Sequence, residues 1–228
     1  MWFHLDYLYW VMLAPALLLG FWAQARVRSA FARAEKEVAP MTGAAAARYV
    51  LDSAGLQNVS IEQINGFLSD HYDPRQKVLR LSPQVYQGRS MAAVGIAAHE
   101  SGHAIQDLKH YAPLVVRNAV VPVANFGGGI STTLLIIGFL LQAMWLVQVG
   151  IIAFSAVVFF QLVNLPVEFD ASNRAKAQLD ALGVVPRQDQ EYVREVLNAA
   201  AWTYVAGTLQ AVLTLLYFIL RFGGGNRS

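Results

Sequence analysis

The feature that most constrains the fold is a run of fifty residues, 118–167, that contains no Asp, Glu, Lys or Arg. The hydrocarbon core of a bilayer is about 30 Å thick, and a helix needs roughly 20 apolar residues to cross it. The run is long enough for two transmembrane helices, which we place near 119–141 and 147–166, with a tight turn between them. No helical hairpin of a soluble protein is expected to be apolar all round over this length.

Two further segments are apolar enough to cross a membrane. The first, 5–25, is interrupted only by Asp6, and the second, 199–220, is followed directly by Arg221. The first segment is not typical of a cleaved signal peptide, because its basic residues follow the apolar stretch instead of preceding it. We therefore expect four transmembrane helices, with the N-terminus outside the cell.

Four spans divide the rest of the chain between the two sides of the membrane. Fifteen Lys and Arg residues lie in 26–117 and 168–198, against two on the other side. Because loops rich in Lys and Arg stay in the cytoplasm, this asymmetry predicts that both segments are cytoplasmic. The expected order is a first transmembrane helix in 1–25, a cytoplasmic domain in 26–117, a transmembrane hairpin in 118–167, a cytoplasmic helical segment in 168–198, a fourth transmembrane helix in 199–221 and a tail in 222–228.

The composition excludes several classes of function. The chain has no cysteine, which excludes disulfides, iron–sulfur clusters, thiolate zinc sites and a cysteine nucleophile. Its net charge of +2 comes from 17 basic and 15 acidic residues, whereas a nucleic-acid-binding protein carries a clustered excess of Lys and Arg. We therefore expect no nucleic-acid partner, and any catalysis must use His, Glu, Asp, Ser, Thr or Tyr.

Capping residues predict two helices in the cytoplasmic segment 26–117. Thr42 is placed to cap the N-terminus of a helix that Gly55 ends. Ser90 is placed to cap a second helix, which starts with small residues that let neighbouring elements approach closely. The second helix matters most, because it carries the only motif with a specific chemical meaning.

Between these helices the sequence predicts a small sheet. Segments 59–64 and 78–81 each alternate apolar and polar residues, which is the periodicity of a strand. In the connection between them, Asp73-Pro74 favours a type I turn, because proline presets φ at the second position of such a turn. We therefore expect a small sheet that includes a hairpin.

The second helix contains the motif His99-Glu100-Ser101-Gly102-His103, which has the H-E-x-x-H pattern of zinc metalloproteases. Residues four apart lie on one face of a helix, so both imidazoles can reach the same metal ion. Zinc lowers the pKa of a bound water to about 7, and Glu100 is placed to take the proton of that water. The plainer interpretation is a pair of histidines on a helix surface or in a core, and the helical context argues against it.

A catalytic zinc site needs a third protein ligand and one open position. Glu168 fits because an even number of membrane crossings separates it from His103, which returns the chain to the same side. The alternative is a charged residue that only marks the end of a span. Asp170 and Asn173 could orient a ligand imidazole, or could simply be solvated, and Asp170 is also the reserve candidate for the third ligand.

Several stretches of the sequence together carry a resemblance to known proteins. They are Asp70-His71-Tyr72-Asp73-Pro74-Arg75, Leu81-Ser82, Ala97-Ala98-His99-Glu100, Gly102-His103-Ala104-Ile105-Gln106, Tyr111-Ala112-Pro113-Leu114 and Leu165-Pro166-Val167-Glu168-Phe169. These stretches resemble the YugP-like neutral zinc metallopeptidases of bacteria over nearly the whole chain, and more distantly the layout is similar to the glutamate zincins of the HtpX and CAAX-prenyl-protease type. The resemblance implies that His99 and His103 are zinc ligands, Glu100 the general base and Glu168 the third ligand.

The sequence departs from the broader glutamate-zincin pattern at one position and leaves another role open. The acid often found four residues after the ligand glutamate is Ser172 here, so the partner that orients a ligand histidine is undetermined. An oxyanion-stabilising residue is also hard to identify. His71 is a candidate if the sheet packs beside the motif helix, although a structural role is the plainer interpretation.

These observations predict a multi-pass α-helical protein of the bacterial inner membrane, with four transmembrane helices and a small α+β zincin-like cytoplasmic domain. Its expected function is zinc-dependent cleavage of peptide bonds in membrane or misfolded proteins at the cytoplasmic membrane surface. The expected partners are a Zn²⁺ cofactor, a protein or peptide substrate and the lipid bilayer, and a membrane-protein partner or a homo-oligomer is left open. Two alternatives are a non-catalytic membrane adaptor or scaffold with a structural zinc site, and zinc-dependent hydrolysis of a lipid-linked bond.

Overall fold

The computed structural model describes residues 7–66 and 69–222. Within these residues the fold is mostly helical and includes one small sheet, as the sequence predicts. The elements in chain order are α1 (Tyr7–Ala34), α2 (Gly43–Ser53), β1 (Ser60–Gln63), β2 (His71–Asp73), β3 (Val78–Leu81), α3 (Pro83–Tyr86), α4 (Met91–Leu108), α5 (Ala112–Leu140), α6 (Met144–Leu182) and α7 (Gln190–Phe222).

Four helices of the described residues are long and apolar enough to cross a membrane, which is the number of spans expected from the sequence. They are α1, α5, α6 and α7. Each of them contains more residues than the roughly 20 that a bilayer core requires. The helix α6, for example, has 39 residues and runs without interruption past Glu168. Because a helix does not end where a bilayer ends, the exact boundaries of the spans stay predictions.

The chain divides into two compact units. Among the described residues, the first contains 7–22, 115–165 and 203–222, and the second contains 23–66, 69–114 and 166–202. Every boundary between the units falls inside one of the four long helices. All the residues of the H-E-x-x-H motif, together with Glu168, belong to the second unit.

The core of the second unit is built around α4. Ser90 caps this helix as predicted, and its hydroxyl accepts a hydrogen bond from the backbone N–H of Ala93 at 3.2 Å. Small side chains such as Ala97 and Ala98 are fully buried, which lets α2 pack closely on α4. The cap of α2 at Thr42 is also confirmed, with an accepted hydrogen bond of 3.2 Å.

The sheet of the second unit has the strand order β1-β3-β2. The predicted strands at 59–64 and 78–81 correspond to β1 and β3, but these two pair in parallel. The hairpin is instead formed by β2 and β3, which are antiparallel. The strand β2 has only three residues, which are too few to produce a recognisable alternation in the sequence. The turn at Asp73-Pro74 therefore joins β2 to β3, not β1 to β3.

In the first unit, α5 and α6 form a helical hairpin with a tight connection. Gln142 adopts a left-handed conformation with φ of 54° in this connection. The two helices approach closely at glycines, since a Cβ on Gly138 would lie 2.9 Å from the backbone nitrogen of Val147. Gly150 packs in the same manner against Leu135.

Candidate metal centre

The helix α4 presents His99 and His103 on one face. Their ring centroids are 4.9 Å apart, as expected for residues separated by one turn. Both rings are shielded from solvent, with His99 half-buried and His103 only 9% exposed. Glu100 is half-buried on the same turn. The motif residues are therefore held on a rigid, well-packed helix and not on a loop.

Glu168 reaches the histidines because α6 packs against α4 at very short range. A Cβ added to Gly102 would lie 2.5 Å from the backbone oxygen of Ala171, closer than real Cβ atoms come to other atoms. Gly102 is therefore the residue that lets the backbone of α6 approach the motif. Glu168 lies one turn before Ala171 on that helix, and its side chain is buried, with the residue only 4% exposed.

The three side chains converge on one point. The Oε2 atom of Glu168 lies 3.3 Å from Nε2 of His99 and 3.8 Å from Nε2 of His103. One ligand atom from each residue can be chosen so that all lie within 4.8 Å of one another. Two ligands that are each about 2.1 Å from a zinc ion in tetrahedral geometry lie about 3.4 Å apart. The donor set and its spacing therefore fit a zinc ion held by two imidazoles and one carboxylate.

The electrostatics of the cluster favour a cation. Burial lowers the pKa of the His99 imidazole, but the hydrogen bond with Glu168 and the negative charges of Glu100 and Glu168 outweigh it, so that the pKa is raised. The same charges that favour a proton on this ring would also favour a divalent metal ion. A metal ion and a proton compete for the ring, because only the neutral imidazole is a ligand.

The second ring nitrogen of each histidine has a polar partner. The Nδ1 atom of His99 lies 3.1 Å from the hydroxyl oxygen of Ser172, and Nδ1 of His103 lies 3.0 Å from Oε1 of Gln106. In both cases Nε2 is directed toward Glu168. Partners of this kind fix the ring orientation of metal-ligating histidines. Ser172, four residues after Glu168, is therefore the residue that contacts Nδ1 of His99, and it does so with a hydroxyl.

Gln106 is a residue of the site for which the sequence predicted no role. It is fully buried, and its Nε2 donates hydrogen bonds to the backbone oxygen of Val167 at 2.8 Å and to Oδ2 of Asp170 at 2.9 Å. The available signal was its position three residues after His103, which places its side chain on the same face of the helix as the motif histidines. Its partner on α6 could not be deduced, because the contact joins residues 61 positions apart.

The remaining candidates differ in their contacts and exposure. Asp170 contacts Gln106 and accepts a hydrogen bond of 2.5 Å from Nε of Arg174, so its connection to the site runs through Gln106. Asn173 is exposed on α6. His71 is exposed in β2, with Nδ1 2.8 Å from the backbone oxygen of Ser69. The roles suggested for Asn173 and His71 stay predictions.

The family that this sequence matches and one of its relatives are named as a zinc or membrane peptidase, which agrees with a metal site at these residues. The model of a protein family described as "Putative neutral zinc metallopeptidase" matches residues 9–223, which is nearly the whole chain. The chain belongs to this zinc metallopeptidase family. It is also 46% identical over 213 residues to a protein of Bacillus subtilis (strain 168) named "Putative membrane protease YugP", a match that covers 92% of this chain and 95% of the relative. No solved structure matches the chain.

The family membership and the four long apolar helices together identify this metallopeptidase-family chain as a membrane protein. The resemblance to YugP-like proteins noted in the sequence is thereby confirmed. Zinc is the metal that both the family and the His99, His103 and Glu168 donor set support.

Proposed function

We propose that this family member is a membrane-embedded zinc endopeptidase of the glutamate-zincin type. The observation that carries the proposal is the convergence of His99, His103 and Glu168, with Glu100 on the same turn of α4 as the two histidines. Two imidazoles and one carboxylate leave a fourth position open in a tetrahedral site, which is the arrangement of catalytic zinc centres. Structural zinc sites are more often closed by four protein ligands.

The bound zinc ion would supply Lewis-acid polarisation of the scissile carbonyl and lower the pKa of the attacking water toward about 7. Glu100 is the general base that takes the proton of this water, and it then donates the proton to the leaving amine. His99 and His103 hold their positions through Ser172 and Gln106. Glu168 supplies the negative ligand, and Asp170 and Asn173 are the remaining polar residues proposed to support the site.

We further propose that the site faces the cytoplasm at the membrane surface of a bacterial inner membrane, and that 26–117 forms a zincin-like domain with 168–198. The excess of Lys and Arg in these two segments supports this orientation. Substrates would be membrane or misfolded proteins, with the peptide extended past the motif helix and His71 available to stabilise the oxyanion. The orientation can be tested with a reporter enzyme that is active only outside the cytoplasm, fused after residue 117. Activity of this fusion would contradict the proposed orientation.

The variant Glu100→Gln tests the proposed activity. With the purified protein in detergent and casein as an unfolded substrate, we expect cleavage to fall at least about 100-fold, because general base catalysis contributes that much or more. The variant should still bind one zinc ion per chain, measured by metal analysis. Glu35→Gln is the matched control, since Glu35 is exposed and lies outside the site.

Two outcomes would contradict the proposal in different ways. If Glu100→Gln cleaves casein as fast as the parent, Glu100 is not the base. If the parent binds one zinc ion per chain but cleaves neither casein nor membrane-protein substrates, the adaptor or scaffold alternative is favoured. A lipid-linked substrate recovered with Glu100→Gln as a trap would favour the third alternative.

A further inference from the structure

The side-chain amide of Gln106 lies between the motif helix and the helix that carries Glu168. Gln106 is fully buried, so each of its polar atoms must find a partner within the protein. Its Nε2 contacts the backbone oxygen of Val167 and the carboxylate of Asp170, and its Oε1 contacts Nδ1 of His103. One side chain therefore connects a histidine of the motif to two points on α6.

These contacts determine which end of the amide faces the histidine. The two acceptors on α6, a carbonyl and a carboxylate, both require a donor, and only the NH2 end of Gln106 can supply two N–H groups. Turning the amide over would place its oxygen against both of these oxygens inside a buried site. The carbonyl oxygen of Gln106 must therefore be the atom that faces His103.

The orientation of the amide in turn determines the tautomer of His103. A carbonyl oxygen only accepts hydrogen bonds, so Nδ1 of His103 must carry a hydrogen to donate to Gln106. In the neutral ring the other nitrogen, Nε2, then bears the lone pair. Nε2 is the atom that lies 3.8 Å from Oε2 of Glu168. The ring is thus held in the tautomer that a metal ion at this point requires.

Asp170, the residue on α6 that accepts a hydrogen bond from Gln106, is also held in place. Asp170 accepts a hydrogen bond of 2.5 Å from Nε of Arg174, four residues later on α6. The guanidinium group of Arg174 lies 5.7 Å from the centre of the Tyr111 ring. We call His103, Gln106, Asp170 and Arg174 the amide network. Its polar contacts converge on Asp170, because His103 donates to Gln106, and Gln106 and Arg174 both donate to the Asp170 carboxylate.

His99 is supported differently. Its Nδ1 atom faces the hydroxyl of Ser172, and a hydroxyl can either donate or accept. That contact orients the ring but does not determine its tautomer. The two histidines of the motif therefore differ in how strongly their surroundings prepare them for a metal ion.

We propose that Gln106 is a positioning residue that fixes His103 in the Nδ1–H tautomer and ties it to α6 beside Glu168. This inference rests on the proposed function in so far as His103 is taken as a zinc ligand. The tautomer itself is a property of the metal-free protein and can be measured without zinc and without a substrate.

The test compares Gln106→Met with the parent in the full chain, purified in detergent. Nitrogen-15 NMR of histidine-labelled, metal-free protein should show His103 as the Nδ1–H tautomer in the parent and as a mixture in Gln106→Met. Zinc affinity, measured by competition with a chromophoric chelator, should fall about 10- to 100-fold, as it does when outer partners of ligand histidines are removed. The His103 signals are assigned with His103→Gln.

Two further variants separate positioning from a general structural effect. Gln106→Glu keeps an oxygen that accepts from His103, and in its protonated form the other oxygen can still donate to Asp170, so the protonated form should restore the Nδ1–H tautomer that Gln106→Met loses. Gln178→Met makes the same change at a half-buried glutamine that contacts Ser53, and it should leave both the tautomer and zinc affinity as in the parent. If Gln106→Met does not fold, Asp170→Ala replaces it. This variant removes one of the two acceptors that hold the amide while Gln106 stays in place, so the Nε2–H tautomer of His103 should become detectable.

The inference is overturned if the parent shows His103 as the Nε2–H tautomer. It is also overturned if the tautomer and zinc affinity of Gln106→Met, or of its substitute Asp170→Ala, match those of the parent. A parent protein that binds no zinc would contradict the proposed function, yet the NMR measurement would still decide the tautomer. The failures of the two proposals are therefore distinguishable.

Discussion

At the scale of single residues, the site depends on how two identical side chains acquire different surroundings. The Nδ1 atom of His99 faces a hydroxyl, whereas that of His103 faces an amide whose orientation is determined by α6. Both rings direct Nε2 at the same carboxylate oxygen of Glu168. Glu168 therefore contributes charge as well as a ligand atom, since its carboxylate also raises the pKa of His99.

Replacing Glu168 by Gln tests this double contribution. We expect zinc affinity to fall by more than the roughly 10- to 100-fold that the loss of an outer partner costs, because a neutral amide replaces a charged ligand. Competition with a chromophoric chelator measures the affinity. Glu195→Gln is the control, since that carboxylate pairs with Arg33 on the surface. Equal zinc affinity in parent and Glu168→Gln would show that another residue is the third ligand.

At the scale of elements, the site depends on the packing of α4 against α6. Gly102 stands inside the motif at a position where the H-E-x-x-H pattern allows any residue. The structure nevertheless requires a glycine there, because the backbone oxygen of Ala171 occupies the space of a Cβ. Ala171 lies between Glu168 and Ser172, so the close approach at Gly102 brings both of these side chains to the histidines.

The variant Gly102→Ala should separate these two helices. The added methyl group would overpack the contact, at a cost of about 1–3 kcal/mol, and should weaken zinc binding by moving Glu168 and Ser172 away from the rings. Chemical denaturation and zinc competition measure the two effects.

Gly95→Ala is a matched control for this variant on the same helix. Its Cβ would meet a side-chain atom of Val193 at 3.2 Å instead of a backbone oxygen, and a side chain can move more easily. Both variants gain about 1 kcal/mol of helix propensity, so that gain cancels in the comparison. Retention of zinc affinity in Gly102→Ala would contradict the packing argument.

At the scale of the whole molecule, the candidate metal centre belongs to one of two compact units. The three proposed ligands lie in the unit of 23–114 and 166–202, and between His103 and Glu168 the chain leaves this unit after Leu114 and returns to it at Pro166. A metal ion bound by both His103 and Glu168 would therefore link two parts of this unit that are far apart in the chain. Binding should therefore stabilise the folded second unit, because the unfolded chain holds no preformed site.

Metal removal tests this stabilisation. At a zinc concentration 100 times the Kd, binding contributes about 2.7 kcal/mol. For a chain of this size we expect EDTA to lower the unfolding temperature by about 5–10 °C, at about 2–4 °C per kcal/mol. Circular dichroism during heating measures the shift, and added zinc should reverse it. His99→Ala should show no zinc-dependent shift, and a parent protein insensitive to EDTA would contradict the expectation.

The helices and the two histidines of the motif could be predicted from the sequence because each depends on a pattern within one element. Hydropathy over about 20 residues defines a span, and a spacing of four residues places His99 and His103 on one face. The caps at Thr42 and Ser90 are local for the same reason. The prediction of Glu168 as the third ligand needed one further inference. Two expected membrane crossings separate it from His103, so both residues are expected on the same side of the membrane.

The contacts between residues far apart in the chain could be recognised only in the tertiary structure. The parallel pairing of β1 with β3, the contact of Gly102 with Ala171 and the partners of Gln106 all link separate elements. No local pattern of a single sequence predicts these contacts, because they form only when whole helices and strands pack together and bury their polar groups. The chemistry of the site is therefore visible in the motif, but its preparation for a metal ion becomes visible only when α6 lies against α4.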